Sequence, residues 1–255
     1  MNTEAKAGLG VLLVTGASRG IGAATAELAA TKGYAVCVNY LRDEANAQAV
    51  VSRIASLGGH AIALQADVSD EAQVVGLFET CASQLGRLTA LVNNAGVLEL
   101  QSPLAEMDAG RLQRVFATNV FGTMLCAREA VRRMSTDRGG TGGSIVNVSS
   151  AASRLGSPGE YVDYAASKGA IDTFTIGLAK EVGSQGIRVN AVRPGFIHTD
   201  IHARGGEPGR VARLQSGIPL QRGGAAEEVA QAIIWLLSTE ASYTTGALVD
   251  VSGGR

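Results

Sequence analysis

The stretch GVLLVTGASRGIG, residues 10–22, decides the fold. Its first half is a short apolar, β-prone run that breaks into glycine just where a helix begins. Gly16, Gly20 and Gly22 stand at G-x-x-x-G-x-G spacing, close to the G-x-G-x-x-G dinucleotide fingerprint. The physics is shared. Glycine lets the chain turn tightly and bring its backbone against a pyrophosphate, and a helix N-terminus offers unpaired N–H groups with partial positive charge. A glycine turn between strand and helix can be a plain connector. Its place on the first strand–helix crossover makes it a candidate phosphate loop, with Ser18, Arg19 and Ile21 beside the glycines.

Outward from this loop the chain alternates apolar β-rich runs with alanine-rich helical stretches. The candidate strands are residues 10–15, 34–40, 60–66, 88–94, 143–150, 186–192 and 247–252. Several are apolar almost throughout, as in a parallel sheet covered on both faces. The alternation implies an α/β fold: a Rossmann-type, doubly wound parallel sheet of seven strands with helices on both faces. No linker, repeat or low-complexity tract divides residues 1–255, so one domain is expected. Residues 198–224 break the pattern, being rich in Gly and Arg. They read as a surface insertion or as a lid over a ligand, and the lid is the preferred reading.

Composition narrows the function. Twenty-two Lys and Arg face 23 Asp and Glu, which gives no electrostatic case for binding nucleic acid or an anionic membrane. No apolar run approaches the roughly 18 residues of a membrane span, and the first ten residues carry no signal-peptide core, so a cytoplasmic protein is expected. Cys37, Cys81 and Cys126 lack metal or redox spacing and read as buried thiols. His198 and His202 have metal-like spacing without a convincing third ligand, so no metal site is expected.

Two further loops, ADVSD (66–70) and NNAG (93–96), end candidate strands with polar and glycine residues. Ligands of open α/β sheets bind outside the carboxyl ends of strands, where three such loops would cluster. The stretch YVDYAASK, residues 161–168, opens a long helical run that GSQG (183–186) stops. Tyr164 and Lys168 are i and i+4, about 6 Å apart along the axis, whereas Tyr161 lies about 10.5 Å from Lys168. A phenol titrates near pH ~10 and needs a close cation to act as acid or base at neutral pH. Tyr164 is therefore the acid candidate, and Tyr161 lines the substrate pocket or packs.

Together these residues resemble the short-chain dehydrogenase/reductase family over essentially the whole chain. The matches, in family order, are TGASRGIG, ADVSD, NNAG, Asn119 in TNVFG, NVSS, YAASK and RPGFIHT. The resemblance implies an enzyme moving hydride between a nicotinamide cofactor and a carbonyl or alcohol. It implies that Ser150, rather than its rival Ser149, polarises the carbonyl, and that Tyr164 delivers the proton. Lys168 would lower the Tyr164 pKa and hold the nicotinamide ribose, and Asn119 would join a proton relay. Asp67 and Val68 would edge the adenine, and Asn94, Ala95 and Gly96 the ribose. Pro194, Gly195, Ile197 and Thr199 would meet the nicotinamide amide. The Ser150–Tyr164 interval is one residue longer than usual in the family, which bears on the substrate loop's shape.

The second candidate strand ends Asn39-Tyr40-Leu41, without the carboxylate that holds the ribose in NAD-specific members, and Arg42 follows. With Arg19 this favours NADP(H), with NAD(H) as the alternative. Family members include reductases of 3-oxoacyl carrier-protein thioesters, glucose dehydrogenase-like enzymes and reductases of xenobiotic ketones. Arg132, Arg133 and Lys180 would form a basic surface for an acyl-carrier protein. A homotetramer is implied, with helix pairing through about residues 109–134 and through positions such as Ala170, Ile171, Phe174 and Gly177. A nucleotide-binding sensor on the same fold is the rival reading, opposed by the complete Asn119, Ser150, Tyr164 and Lys168 set.

Overall fold

The computed structural model describes residues 8–255. Seven strands form one wholly parallel sheet in the order β3-β2-β1-β4-β5-β6-β7. They are β1 (Val11–Val14), β2 (Ala35–Tyr40), β3 (Ala61–Gln65), β4 (Leu88–Asn93), β5 (Gly143–Val148), β6 (Ile187–Pro194) and β7 (Leu248–Val251). All seven coincide with the expected runs. β6 continues two residues further, to Pro194, and β5 stops short, leaving Ser149 and Ser150 beyond its carboxyl end.

The longer helices are α1 (Gly20–Thr31), α2 (Glu44–Ser56), α3 (Glu71–Leu85), α4 (Ala109–Phe116), α5 (Thr123–Met134), α7 (Val162–Val182) and α10 (Ala226–Leu237). Three short ones complete the set: α6 (Ala152–Leu155), α8 (Ile201–Arg204) and α9 (Arg210–Leu214). Side chains alternate across each strand, so β1 sends Leu12 and Val14 to one face and Val11 and Leu13 to the other. The first face packs on α1, α2 and α10, the second on α3, α5 and α7. Burial on both faces is why the strands are apolar throughout. Cys37, Cys81 and Cys126 are buried thiols in or beside these layers.

Local chemistry sets the helix ends. Asp43, Asp70 and Asp108 cap α2, α3 and α4, each accepting a bond from a backbone N–H three residues on. The α7 helix ends in a single 3-10 turn, and Gly186, at φ 74°, turns the chain into β6. The helix expected over residues 109–134 is broken: a π-helical segment, Ala117–Gly122, separates α4 from α5 and carries Asn119. Nothing in its composition announces it, but such segments recur at functional sites.

The sheet order reverses at β1, which is flanked by β2 on one side and β4 on the other. A crevice at the carboxyl ends of β1 and β4 follows from that topology.

Candidate active site

A cavity of about 640 Å³ lies along the carboxyl ends of the strands and is lined by residues that follow all seven of them. After β1 comes the phosphate loop, whose Gly16 (φ 60°) adopts the left-handed backbone that glycine favours. A Cβ on Gly16 would lie 2.9 Å from the Ala95 Cα, and one on Gly22 only 2.5 Å from Asn94 Nδ2. The loop is thus laid directly on the NNAG segment. Unlike α2, α3 and α4, the α1 helix has no side-chain cap at Arg19. Its first N–H groups remain for an anion at the cavity, which fits a dinucleotide pyrophosphate.

Several predicted cofactor residues also hold the scaffold together. The Asn39 amide is buried, accepting from Gly16 N at 3.2 Å and donating to Ala66 O at 3.1 Å. Asn94 donates to Thr15 O and Gly16 O, both at 2.9 Å, and Thr15 Oγ1 accepts from Asn94 N and Ala95 N. Both line the cavity, and each also makes a hydrogen bond with the loop backbone. Gly22 and Asp67 do not line it. Gly22 packs beneath the loop, and the Asp67 carboxylate turns to the N–H and hydroxyl of Ser69. Ser18, Arg19, Gly20, Ile21, Val68 and Gly96 do line it, as do Ala95, Pro194, Gly195, Ile197 and Thr199. Thr199 reaches across to the loop, its methyl 3.3 Å from where a Gly20 Cβ would stand.

At the end of the cavity beside β2, Arg42 is exposed and lines it, while Arg19 donates to Asp43 at 2.7 Å. The sequence suggests that Asp43 screens Arg42, yet in the fold its direct partner is Arg19. Arg204 of α8 lines the same cavity and also helps hold the Asp43 carboxyl below its usual range, behind the larger effect of the bond from Asn46.

At the other end, the two serines separate. Ser149 is buried and donates to Lys168 O at 3.2 Å, whereas Ser150 Oγ accepts from Ala152 N at 3.1 Å and lies beside the Tyr164 phenol. The Lys168 ammonium lies 5.6 Å from the Tyr164 ring centre and donates to Val148 O at 2.7 Å. Burial pushes the Tyr164 phenol up, with the Ser150 hydroxyl opposing it. Burial also draws the Lys168 ammonium down to about 8, against the pull of the Asp172 carboxylate. Asn119 is fully buried, bonded to Val97 N and O and to Ser167. Gly96 lies between Asn119 and Lys168: a Cβ there would stand 3.4 Å from Asn119 Oδ1 and 3.6 Å from Lys168 Nζ.

Tyr161 precedes the helix as its cap, is buried, and donates its hydroxyl to Gly205 O at 2.9 Å. It packs and lines the cavity at once. Asp163 in the first turn of α7 forms a two-pronged buried pair with Arg111 of α4, at 2.7 and 3.2 Å. Removing one partner of such a pair costs about 3–5 kcal/mol, so it pins the end of α7 that carries Tyr164.

Residues 198–224 fold over this end as α8 and α9, and Ile201, His202, Arg204 and Arg210 face the cavity. Arg210 is buried between Glu160 and Glu207 and stacks on Tyr161 at 4.9 Å. Sequence reasoning assigned no role to Phe196, Arg210 or Arg255. Phe196 sits within a quoted motif, but nothing local to Arg255 signals that it meets the cavity. Of the proposed carrier-protein surface, Arg132 and Arg133 both pair with the buried Glu129, leaving only Lys180 of the three outside that cluster. No described helix is long and apolar enough to cross a membrane.

The family model described as enoyl-(acyl carrier protein) reductase matches residues 16–255. YgfF, an uncharacterized oxidoreductase of Escherichia coli (strain K12), is 61% identical over 97% of this chain and 100% of its own length. A 3-oxoacyl-[acyl-carrier-protein] reductase of Synechocystis sp. is 41% identical, covering 96% of each chain. A solved short-chain type dehydrogenase/reductase from Mycobacterium marinum has a TM-score of 0.91 at 33% identity, covering 97% of this chain and 95% of that one. With a seven-stranded sheet, a glycine loop at its switch point and this breadth of likeness, the chain belongs to the short-chain dehydrogenase/reductase family of NAD(P)-dependent oxidoreductases.

Proposed function

We propose that the protein transfers hydride between NADP(H) and a carbonyl or alcohol substrate, using Asn119, Ser150, Tyr164 and Lys168. The observation that carries this is the convergence of the Ser150 hydroxyl and the Lys168 ammonium on Tyr164, at the carboxyl end of β5. Ser150 donates to the carbonyl oxygen and orients it. Tyr164 gives that oxygen its proton, and the cation of Lys168 stabilises the phenolate left behind. A bound nicotinamide supplies or accepts the hydride. Asn119 is a positioning residue, tying the π-helical turn to the Val97 backbone beside Lys168. The experiment is NADPH absorbance against a panel of ketones, 3-oxoacyl thioesters and oxidised sugars; binding without turnover on any of them would overturn the reading.

NADP(H) preference is supported by three arginines, Arg19, Arg42 and Arg204, around the single carboxylate of Asp43. A 2′-phosphate would share or replace Asp43 as the partner of Arg19. Hydrogen bonds to charged groups are worth roughly 1.5–3 kcal/mol, so wild type should favour NADPH over NADH by about tenfold or more in kcat/KM. Arg19→Ala and Arg42→Ala should each narrow that ratio. Equal constants for both cofactors, unmoved by either substitution, would refute the assignment.

The protein is further proposed to work as a homotetramer. Ile171 belongs to the monomer core and drops out of the expected contact, but Gly177 and Ile176 are exposed along α7, and Phe121 and Tyr243 present large aromatic surface. Light scattering at micromolar concentration should give a multiple of the chain mass, and a monomer would overturn the proposal.

A further inference from the structure

We infer that the carbonyl substrate carries a carboxylate, and that Arg255 is the residue that holds it; this rests on the carbonyl-reductase reading of the same cavity. The cavity walls hold several cations, and almost all are already engaged. Arg19 is paired with Asp43, Arg114 with Glu99, and Arg210 with both Glu160 and Glu207. Arg42 and Arg204 lie at the end beside β2, and Lys168 is held at the catalytic end by the Val148 carbonyl. His202 accounts for no charge, since burial drives its imidazole below the ordinary value and its Nε2 meets Ile197 O at 3.1 Å. The remaining cation is Arg255. It lines the cavity, and among the described residues no Asp or Glu stands within ion-pairing distance of its guanidinium.

Its placement is firm. The Arg255 carbonyl accepts from Ser252 Oγ at 2.7 Å and from Arg154 Nη2 at 3.0 Å. Its guanidinium lies over Phe196, 4.8 Å from the ring centre. Stacking fixes the plane while leaving the edge N–H groups to grip a carboxylate in two-pronged fashion.

The same cavity also connects Arg255 to the catalytic end. Ser150 Oγ accepts the Ala152 N–H at the start of α6, and Arg154, near the other end of that helix, bonds the Arg255 carbonyl. Ser150, Tyr164 and Arg255 line one cavity, with Ala151, Ala152 and Leu155 on its wall. A carbonyl at Ser150 and Tyr164 and a carboxylate at Arg255 would share that cavity, and the chain length between them is read by the series of keto acids below. The exposed Asp200 lines the same cavity but forms no ion pair with Arg255.

The test uses the full chain with NADPH and three keto acids, 4-oxopentanoate, 5-oxohexanoate and 6-oxoheptanoate, each beside its methyl ester. Wild type should favour at least one acid over its ester by tenfold or more in kcat/KM. Arg255→Gln should bring that ratio near one, mainly through a raised KM for the acid. Arg255→Lys should restore part of it, and Arg255→Glu should reverse it. Esters reduced as well as acids, or a ratio unmoved in Arg255→Gln, would overturn the inference while the carbonyl-reductase reading stands. No turnover of any of the six would also overturn it, and the ketone, thioester and sugar panel then decides whether the broader reading falls too.

Discussion

Tyr164→Phe is expected to bind its cofactor with nearly wild-type affinity and to turn over at least about a hundred-fold more slowly. The substitution removes a hydroxyl and keeps a ring, so the stacking beside Lys168 and the cavity wall survive. What goes is the proton donor, and positioned acid–base groups contribute roughly 10²–10⁴ in rate. Ser150 would lose the hydroxyl beside it but keep the Ala152 N–H that orients it. Tyr161→Phe is the control on the same helix end. It forfeits the bond to the Gly205 carbonyl and loosens the segment after α8, so it should act chiefly on substrate affinity. A loss of kcat in Tyr161→Phe equal to that in Tyr164→Phe would refute the assignment of the acid.

Lys168→Ala should harm both cofactor affinity and rate, with kcat falling by about a hundred-fold or more. Its ammonium makes two contacts in one place: it faces the Tyr164 ring and anchors on the Val148 carbonyl. The pH dependence has a definite sign. Burial draws the Lys168 pKa down to about 8, opposed by Asp172, so the ammonium is charged below that value and neutral above it. A phenolate forms readily beside the charged lysine only. Reduction should therefore decline as pH rises through about 8, and a flat kcat/KM profile from roughly pH 6 to pH 10 would refute the role.

Much of the site was legible because it rests on short-range chemistry. The Tyr164–Lys168 relation is an i,i+4 step, which helix geometry settles without any tertiary contact. The phosphate loop needs glycine where φ is positive and where a Cβ would strike Asn94 or Ala95, and both demands appear in the sequence as Gly16 and Gly22. Polar residues are a harder case. The resemblance implies cofactor contacts for Asn94 and Asp67, and Asn39 ends the second strand; in the fold their side chains also satisfy backbone or Ser69 groups. Whether a polar side chain faces a ligand or its own scaffold depends on partners distant in the chain, and periodicity carries no record of them.

By itself the sequence determined the fold class, the strand positions and the helix that carries Tyr164 and Lys168 on one face. Each follows from local propensity, from apolar runs buried on both faces, or from glycine at left-handed positions. The resemblance already preferred Ser150 to Ser149; tertiary structure supplied the geometry behind that choice and decided two further matters. It spent Ser149 on the Lys168 carbonyl and left Ser150 to meet Tyr164, because β5 ends at Val148 and the chain then turns into α6. It set Asp43 against Arg19 across 24 residues, changing which arginine is screened. It brought Arg255 to Phe196 through a parallel β6–β7 pairing that no local pattern specifies, since a parallel neighbour is reached only by a long crossover.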